Sequence, residues 1–258
     1  MTGVPGLGSP GRWLAVAAVG LLGALVWQLP ASVLGHALPT TSVQLAALEG
    51  TVWRGKAGRV LAGQVDLGTA RWRTAWAPLA LGRVAAEVDL AGPSLRGRGL
   101  FERRLSGALS ATDVKLSMPA GWLQHLLNQP QLRLLGELDV HLKRARFDAE
   151  GWLLALDGRA RWVAARVAGG AGALGDLSVT WTTREDGVIE GKLSDSGGPL
   201  ALSGTVQLAD RQYVINARLA ARDGSVPLRR TLALLGRAEA GGAVRLDIYG
   251  PLVPLAGG

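Results

Sequence analysis

A period-two alternation set off by glycine recurs along most of this chain, and it constrains the fold more than any other feature. Glycine, a variable residue, an aliphatic one, a polar or small one and often a second aliphatic follow one another in Gly63–Leu67 (GQVDL), Gly107–Ala111 (GALSA) and Gly136–Val140 (GELDV). Gly204–Leu208 (GTVQL) and Gly242–Ile248 (GAVRLDI) continue the series, and shorter alternating runs begin at Val43-Gln44-Leu45 and Val52-Trp53. Successive side chains of a strand point to opposite faces, so this pattern describes strands with one apolar and one polar face. Glycine at their starts allows the bends and bulges that a curved sheet requires. The spacing is irregular, which excludes a solenoid of fixed repeat. The expected fold is mainly β, a curved antiparallel sheet with two short helices. Those helices are predicted at Pro119–Asn128, with Trp122, Leu123, Leu126 and Leu127 at helical offsets, and at Pro227–Gly236, with Ser225 as cap and Leu228, Leu232 and Leu235 on one face. The Gly/Ala-rich stretch from Val167 to Gly175 is a possible boundary between two β-lobes.

Upstream of the alternation lies a different kind of segment. No Asp, Glu, Lys or Arg occurs from Trp13 to Leu48, and Trp13–Leu29 is apolar apart from Gln28. As a helix it would rise about 26 Å, close to the thickness of a bilayer's hydrocarbon core. Trp13 and Trp27 fall near its two ends, where indole rings favour the membrane interface. Gly20 and Ala24 form a small-xxx-small pair suited to helix packing. Arg12 is the one charged side chain before it, so the expected layout is a cytoplasmic tail (1–12), a single transmembrane helix (13–29) and an exported β-domain (30–258). The competing reading is a cleaved signal peptide, with Gly35-His36-Ala37 as the processing site and Leu38 as the mature N-terminus. The apolar run is longer than a usual signal core and favours the anchor.

The chain has 258 residues and no cysteine, which excludes disulfides, thiolate catalysis and Cys-based zinc sites. Its net charge of +8 comes mainly from arginines scattered in twos and threes, without interleaved aromatics. That reads as solvated strand faces, some near anionic lipid head groups, and not as a nucleic-acid surface. The three histidines, His36, His125 and His141, lack metal-ligand spacing, so no metal or other cofactor is expected. Glu185-Asp186-Gly187 and Asp210-Arg211 read as hairpin turns.

The run Val43-x-Leu45-x-x-Leu48-x-Gly50-Thr51-Val52-Trp53-x-Gly55-x-Ala57 resembles the signature of the type II secretion system protein N (general secretion pathway protein N) family. Further similar segments follow in order: Leu67-Gly68 with Trp72, Pro78-Leu79, Leu81-Gly82, Leu174-Gly175 with Trp181, and Gly197-Gly198-Pro199-Leu200-x-Leu202-x-Gly204. Tyr213, Leu234-Leu235-Gly236, Gly242 and Gly250-x-Leu252 complete the set, so the resemblance covers nearly the whole chain. It implies a single-pass bacterial inner-membrane protein with a periplasmic domain, an accessory scaffold in export of folded proteins across the outer membrane. Its partners would be other components of that machinery and membrane lipid. Gly50, Thr51, Val52, Trp53, Gly55, Trp72, Gly197, Gly198 and Pro199 are the candidate interaction residues. Trp53 is expected on the first strand, opposite in facing to Val52 and packed on a neighbour.

Two other functions compete with the scaffold. A curved sheet with an apolar concave face, anchored at a membrane, is also the design of a lipid or acyl-chain carrier. Asp195-Ser196-Gly197-Gly198-Pro199-Leu200 matches the nucleophile segment of chymotrypsin-like proteases, but Ser194 stands where that family has glycine and no histidine has the expected surroundings. The segment is also good turn chemistry, so no catalytic residue is assigned and Ser196 is expected in a turn.

Overall fold

The computed structural model describes residues 30–31, 43–62, 65–75, 77–93, 95–122, 133–168, 172–233 and 236–254. They build one open, 14-stranded antiparallel sheet. Its strands are β1 (Val43–Gly50), β2 (Arg54–Ala62), β3 (Val65–Ala75), β4 (Arg83–Ala91), β5 (Arg96–Arg104), β6 (Leu109–Pro119) and β7 (Leu134–Phe147). There follow β8 (Leu153–Val167), β9 (Gly172–Thr183), β10 (Ile189–Asp195), β11 (Leu200–Ala209), β12 (Gln212–Ala221), β13 (Arg237–Ala238) and β14 (Val244–Pro251). Neighbours in sequence are neighbours in space up to β12, which pairs with β14, while the two-residue β13 lies outside β14. Val167 pairs with Gly172, so the Gly/Ala-rich stretch is the β8–β9 hairpin connection.

The alternation seen in each strand is kept in register across the whole sheet. Directly opposed residues share a face, and one unbroken line of partners runs Leu48, Ala57, Ala70, Leu90, Gly97, Leu116, Val140, Ala160, Val179, Leu193, Gly204, Ala217, Leu246. Shifted by one residue on every strand, a second line runs Glu49, Lys56, Arg71, Asp89, Arg98, Lys115, His141, Arg159, Thr180, Lys192, Thr205, Asn216, Asp247. One face is therefore wholly apolar along this line and the other wholly polar. A slip of one residue in any pair would exchange the faces, which is why the pattern specifies register so strongly.

Tryptophans on the apolar face lie opposite glycines. Trp72 faces Gly55 and Trp181 faces both Gly158 and Gly191. A Cβ on Gly191 would run into the Trp181 ring at 2.5 Å, and a Cβ on Gly55 into that of Trp72. Each indole thus lies flat over a neighbour that has no side chain to displace it.

The helix α1 (Val226–Ala233) covers one end of this face. The Ser225 hydroxyl accepts from the Leu228 N–H at 3.4 Å, and Pro227 occupies the first turn, where its missing N–H costs nothing. Leu228 and Leu232 point down and are 1% and 3% exposed, forming a core with Ala165, Leu174, Leu200, Leu219 and Val244. The helix expected here is present; Leu234 and Leu235 lie outside the described residues. The second expected helix is corrected at its start: Pro119 closes β6 and Ala120-Gly121 turn, with 123–128 outside the described residues. The Trp13–Leu29 segment also lies outside them, and among the described residues no helix is long and apolar enough to cross a membrane.

Candidate functional site

The resemblance singled out two groups of residues, and the structure gathers them at two separate places. The first is the β1–β2 turn. Gly50 pairs with Gly55, and Thr51 to Arg54 close a turn in which the Thr51 N–H donates to the Arg54 carbonyl at 3.0 Å. Thr51-Val52-Trp53 is therefore not strand, correcting the expected opposite facing of Val52 and Trp53. A tight turn leaves carbonyls without ladder partners, and this one satisfies each from elsewhere. The Trp72 indole N–H donates to the carbonyls of Thr51 (3.3 Å) and Val52 (3.1 Å). Thr74 supplies its hydroxyl to Val52 O at 3.0 Å and its N–H to Trp53 O at 2.7 Å. The Ala31 N–H donates to Gly50 O at 3.1 Å, Pro30 bridges Thr51, and Ala31 is 1% exposed. Chain entering from the N-terminal side is thus docked onto this turn. Trp53 is half-buried there.

The second place is the β10–β11 turn, nine strands further along the order. Gly198 and Gly175 touch backbone to backbone: a Cβ on Gly198 would meet the Gly175 Cα at 2.5 Å. Gly175 has φ +93°, a conformation that disfavours any other residue. So the Leu174-Gly175 and Gly197-Gly198-Pro199 segments belong to one close contact. Asp195 organises it. Its carboxylate accepts from Leu202 N–H (2.9 Å), Gly197 N–H (2.8 Å) and the Arg222 guanidinium (2.8 Å), while Arg222 also donates to Gly198 O at 2.6 Å. The Leu202 bond above all, then those from Gly197 and Arg222, outweigh burial and hold its pKa down to about 2. Ser196 sits in the turn, its N–H donating to Asp176 O at 3.0 Å. His141 Nε2 lies 3.4 Å from Asp113 Oδ1, and His36 and His125 lie outside the described residues. This is turn chemistry, with Asp195 committed to two amides and an arginine.

Two further aspartates do similar work where the β-ladder breaks. Asp176 takes the N–H of Ala164 at 2.8 Å, at the register shift between Trp162 and Ala165, and its pKa is lowered by that bond and then by Arg161. Asp157 takes the Thr183 N–H at 2.8 Å and pairs with Arg144; the Thr183 bond, then Arg144, lower its pKa against the effect of burial. An Asx-turn bond closes the hairpin expected at Asp186 (Val188 N–H, 3.1 Å), and positive φ at both residues makes the tight turn at Asp210-Arg211.

Between these two places the sheet presents its two faces. The polar face holds a trough of about 990 Å³ crossing β4 to β9, lined by Arg96, Arg98, Lys115, Arg159 and Arg161 against Asp89 and Asp139. On the apolar face the same strands carry Leu116, Val140, Ala160 and Val179 half-buried, and among the described residues the core under α1 takes in Ala165 of β8 and Leu174 of β9 but nothing from β4 to β7. Sequence reasoning treated the basic residues as scattered. Their pairs at i and i+2, Arg96/Arg98 and Arg159/Arg161, were the readable signal that they share a face.

With this geometry in view, the comparisons with known proteins decide the family. The model of the family "Type II secretion system (T2SS), protein N" matches residues 41–247. The chain belongs to that family. It is 33% identical over 159 residues to type II secretion system protein N of Vibrio cholerae serotype O1, covering 60% of this chain and 62% of that protein. It is 31% identical over 216 residues to the Aeromonas hydrophila protein of the same name, covering 78% and 82%. No solved structure matches. The match takes in both turns and the whole two-faced sheet between them.

Proposed function

We propose that the protein is an accessory component of the type II protein secretion machinery, anchored in the bacterial inner membrane by residues 13–29, with the sheet in the periplasm. It acts as a scaffold and not as an enzyme. Beyond family membership, one observation carries the scaffold reading: the apolar line of the sheet stays half-buried across β4 to β7, without a covering layer among the described residues. A contiguous apolar surface of this extent on an exported domain marks an interaction site. The docked Pro30-Ala31 segment supports an anchor-proximal end at β1. The same open face also fits an acyl chain, which is the second reading.

The test is to replace Val140 by Lys in the native host. Loss of secretion with normal amounts of folded protein, and loss of other secretion components from a membrane pull-down, is the expected result. Normal recovery of those components together with loss of co-purifying lipid would favour the acyl-chain carrier. For topology, residues 1–12 are cytoplasmic and residues from about Pro30 onward periplasmic. A reporter fused at residue 258 and active only in the cytoplasm would contradict this, and a mature N-terminus at Leu38 would establish the signal peptide.

A further inference from the structure

On the polar face Arg98, with Asp89 opposite it on one side, meets a second permanent cation on the other, which breaks a rule of sheet stability. Arg98 lies directly opposite Lys115, Lys115 opposite His141, and His141 opposite Arg159. Like charges on facing positions destabilise a strand pair, and from β5 to β8 no acidic residue interrupts this line. Elsewhere opposite charges face each other: Glu49 binds Lys56 at 2.9 Å across β1–β2, and Arg73 faces Glu87 across β3–β4. Among the described residues Arg98, Lys115 and Arg159 form no ion pair. Asp113 lies against His141, and Asp176 binds Arg161 at 2.7 Å.

These unpaired cations are not spread over a flat surface. All three line the 990 Å³ trough, where five basic side chains meet two acidic ones. Rungs about 4.8 Å apart place Arg98 and Arg159 about 14 Å from one another along the trough, with Lys115 between them. A single small anion needs one such cation. A row of three, about 5 and 10 Å apart along one line and inside a concavity the size of a ligand site, fits a ligand with several negative groups.

We propose that this trough binds a ligand carrying two or more phosphate groups, held by Arg98, Lys115 and Arg159. The guanidiniums of Arg98 and Arg159 engage phosphate oxygens in bidentate fashion and Lys115 supplies a point charge between them. Such phosphates belong either to anionic lipid head groups or to a soluble polyphosphate, and the chemistry is the same for both. The inference concerns the side chains of the polar face and the scaffold reading those of the apolar one, although Leu116, Val140 and Ala160 also line the trough.

The test uses the purified full-length chain in an uncharged detergent. Inorganic tripolyphosphate, titrated by calorimetry, binds and raises the thermal midpoint. Arg98→Gln/Lys115→Gln/Arg159→Gln weakens that binding by roughly tenfold or more. The same variant melts no lower than the parent without ligand, because it removes like-charge contacts. Arg229→Gln/Arg230→Gln/Arg237→Gln, with equal charge removed away from the trough, binds as the parent does. Competition by short-chain phosphatidylglycerol identifies a lipid source; its failure to compete, with tripolyphosphate still bound, identifies a soluble one. An equal loss in the two triple variants, absence of binding at about millimolar tripolyphosphate, or tighter binding of an acidic peptide would overturn the proposal.

Discussion

The two ends of the sheet are held together differently. Toward the β14 end, a helix lies over the apolar face and closes a core around Leu228 and Leu232 that reaches back to Ala165 of β8 and Leu174 of β9. At the β1–β3 end, the buried cluster is Ala57, Val60 and Ala70, flanked by half-buried Leu45, Leu48, Leu67, Trp72 and Leu90. Stability there rests on backbone bonds gathered at one turn and on an indole laid over a glycine. Between them, β4 to β7 contribute no residue to the core under the helix. The largest fully buried side chain lies under the helix, whereas the central strands bury Ala85, Ala111, Leu134, Leu138, Ala145 and Ala155 and keep Leu116, Val140 and Ala160 half-buried.

Truncations across these regions should rank accordingly. Leu228→Ala removes the most buried large side chain and should cost about 3 to 4 kcal/mol, read as a lower denaturation midpoint. Val140→Ala, on the open middle of the same face, should cost about 1 kcal/mol or less, since partly exposed truncations leave smaller cavities. Equal losses at the two positions would mean that the central face is covered as well.

Asp195→Ala comes next, at about 2 kcal/mol, because two amides and Arg222 lose their acceptor. The acid dependence follows from its pKa of about 2 against an ordinary 3.8. A depressed folded-state pKa stabilises fully above the unfolded value, so this contribution is present at neutral pH. It is lost as pH falls from about 4 to about 2. The variant should therefore show a shallower loss of stability over that window than the parent.

Trp72→Phe keeps the ring over Gly55 but removes the N–H that serves Thr51 and Val52, and should cost about 1 to 2 kcal/mol. Ser196→Ala should be the smallest effect, within about 0.5 kcal/mol, with secretion unchanged. Loss of secretion by a folded Ser196→Ala protein would revive the protease reading.

How much of this was legible beforehand varies with the physical signal. The two-faced sheet was readable because alternation is a local property of each strand. The capped helix at Pro227 was readable because a cap, a proline and spaced leucines lie within one turn or two. The β1–β2 turn was misread as strand. Val52-Trp53 has β-forming side chains, and only the long-range donors Trp72 and Thr74 explain why the backbone can leave the ladder there. The Asp195 network was likewise hidden, since Arg222 lies 27 residues away in sequence. The cationic rungs were invisible for a related reason: register between strands is set by bulges such as the one between Leu142 and Arg144, which no single strand announces.

In the middle of the apolar face Val140 is half-buried, whereas Leu219 lies in the core under α1. A photo-crosslinking residue placed at Val140 or at Leu219, in membranes of the native host, tests this difference directly. Leu219 should crosslink within the chain, to α1, whereas Val140 should capture another component of the secretion machinery. Intramolecular crosslinking from both positions, or a secretion component captured from Leu219 and not from Val140, would contradict the account.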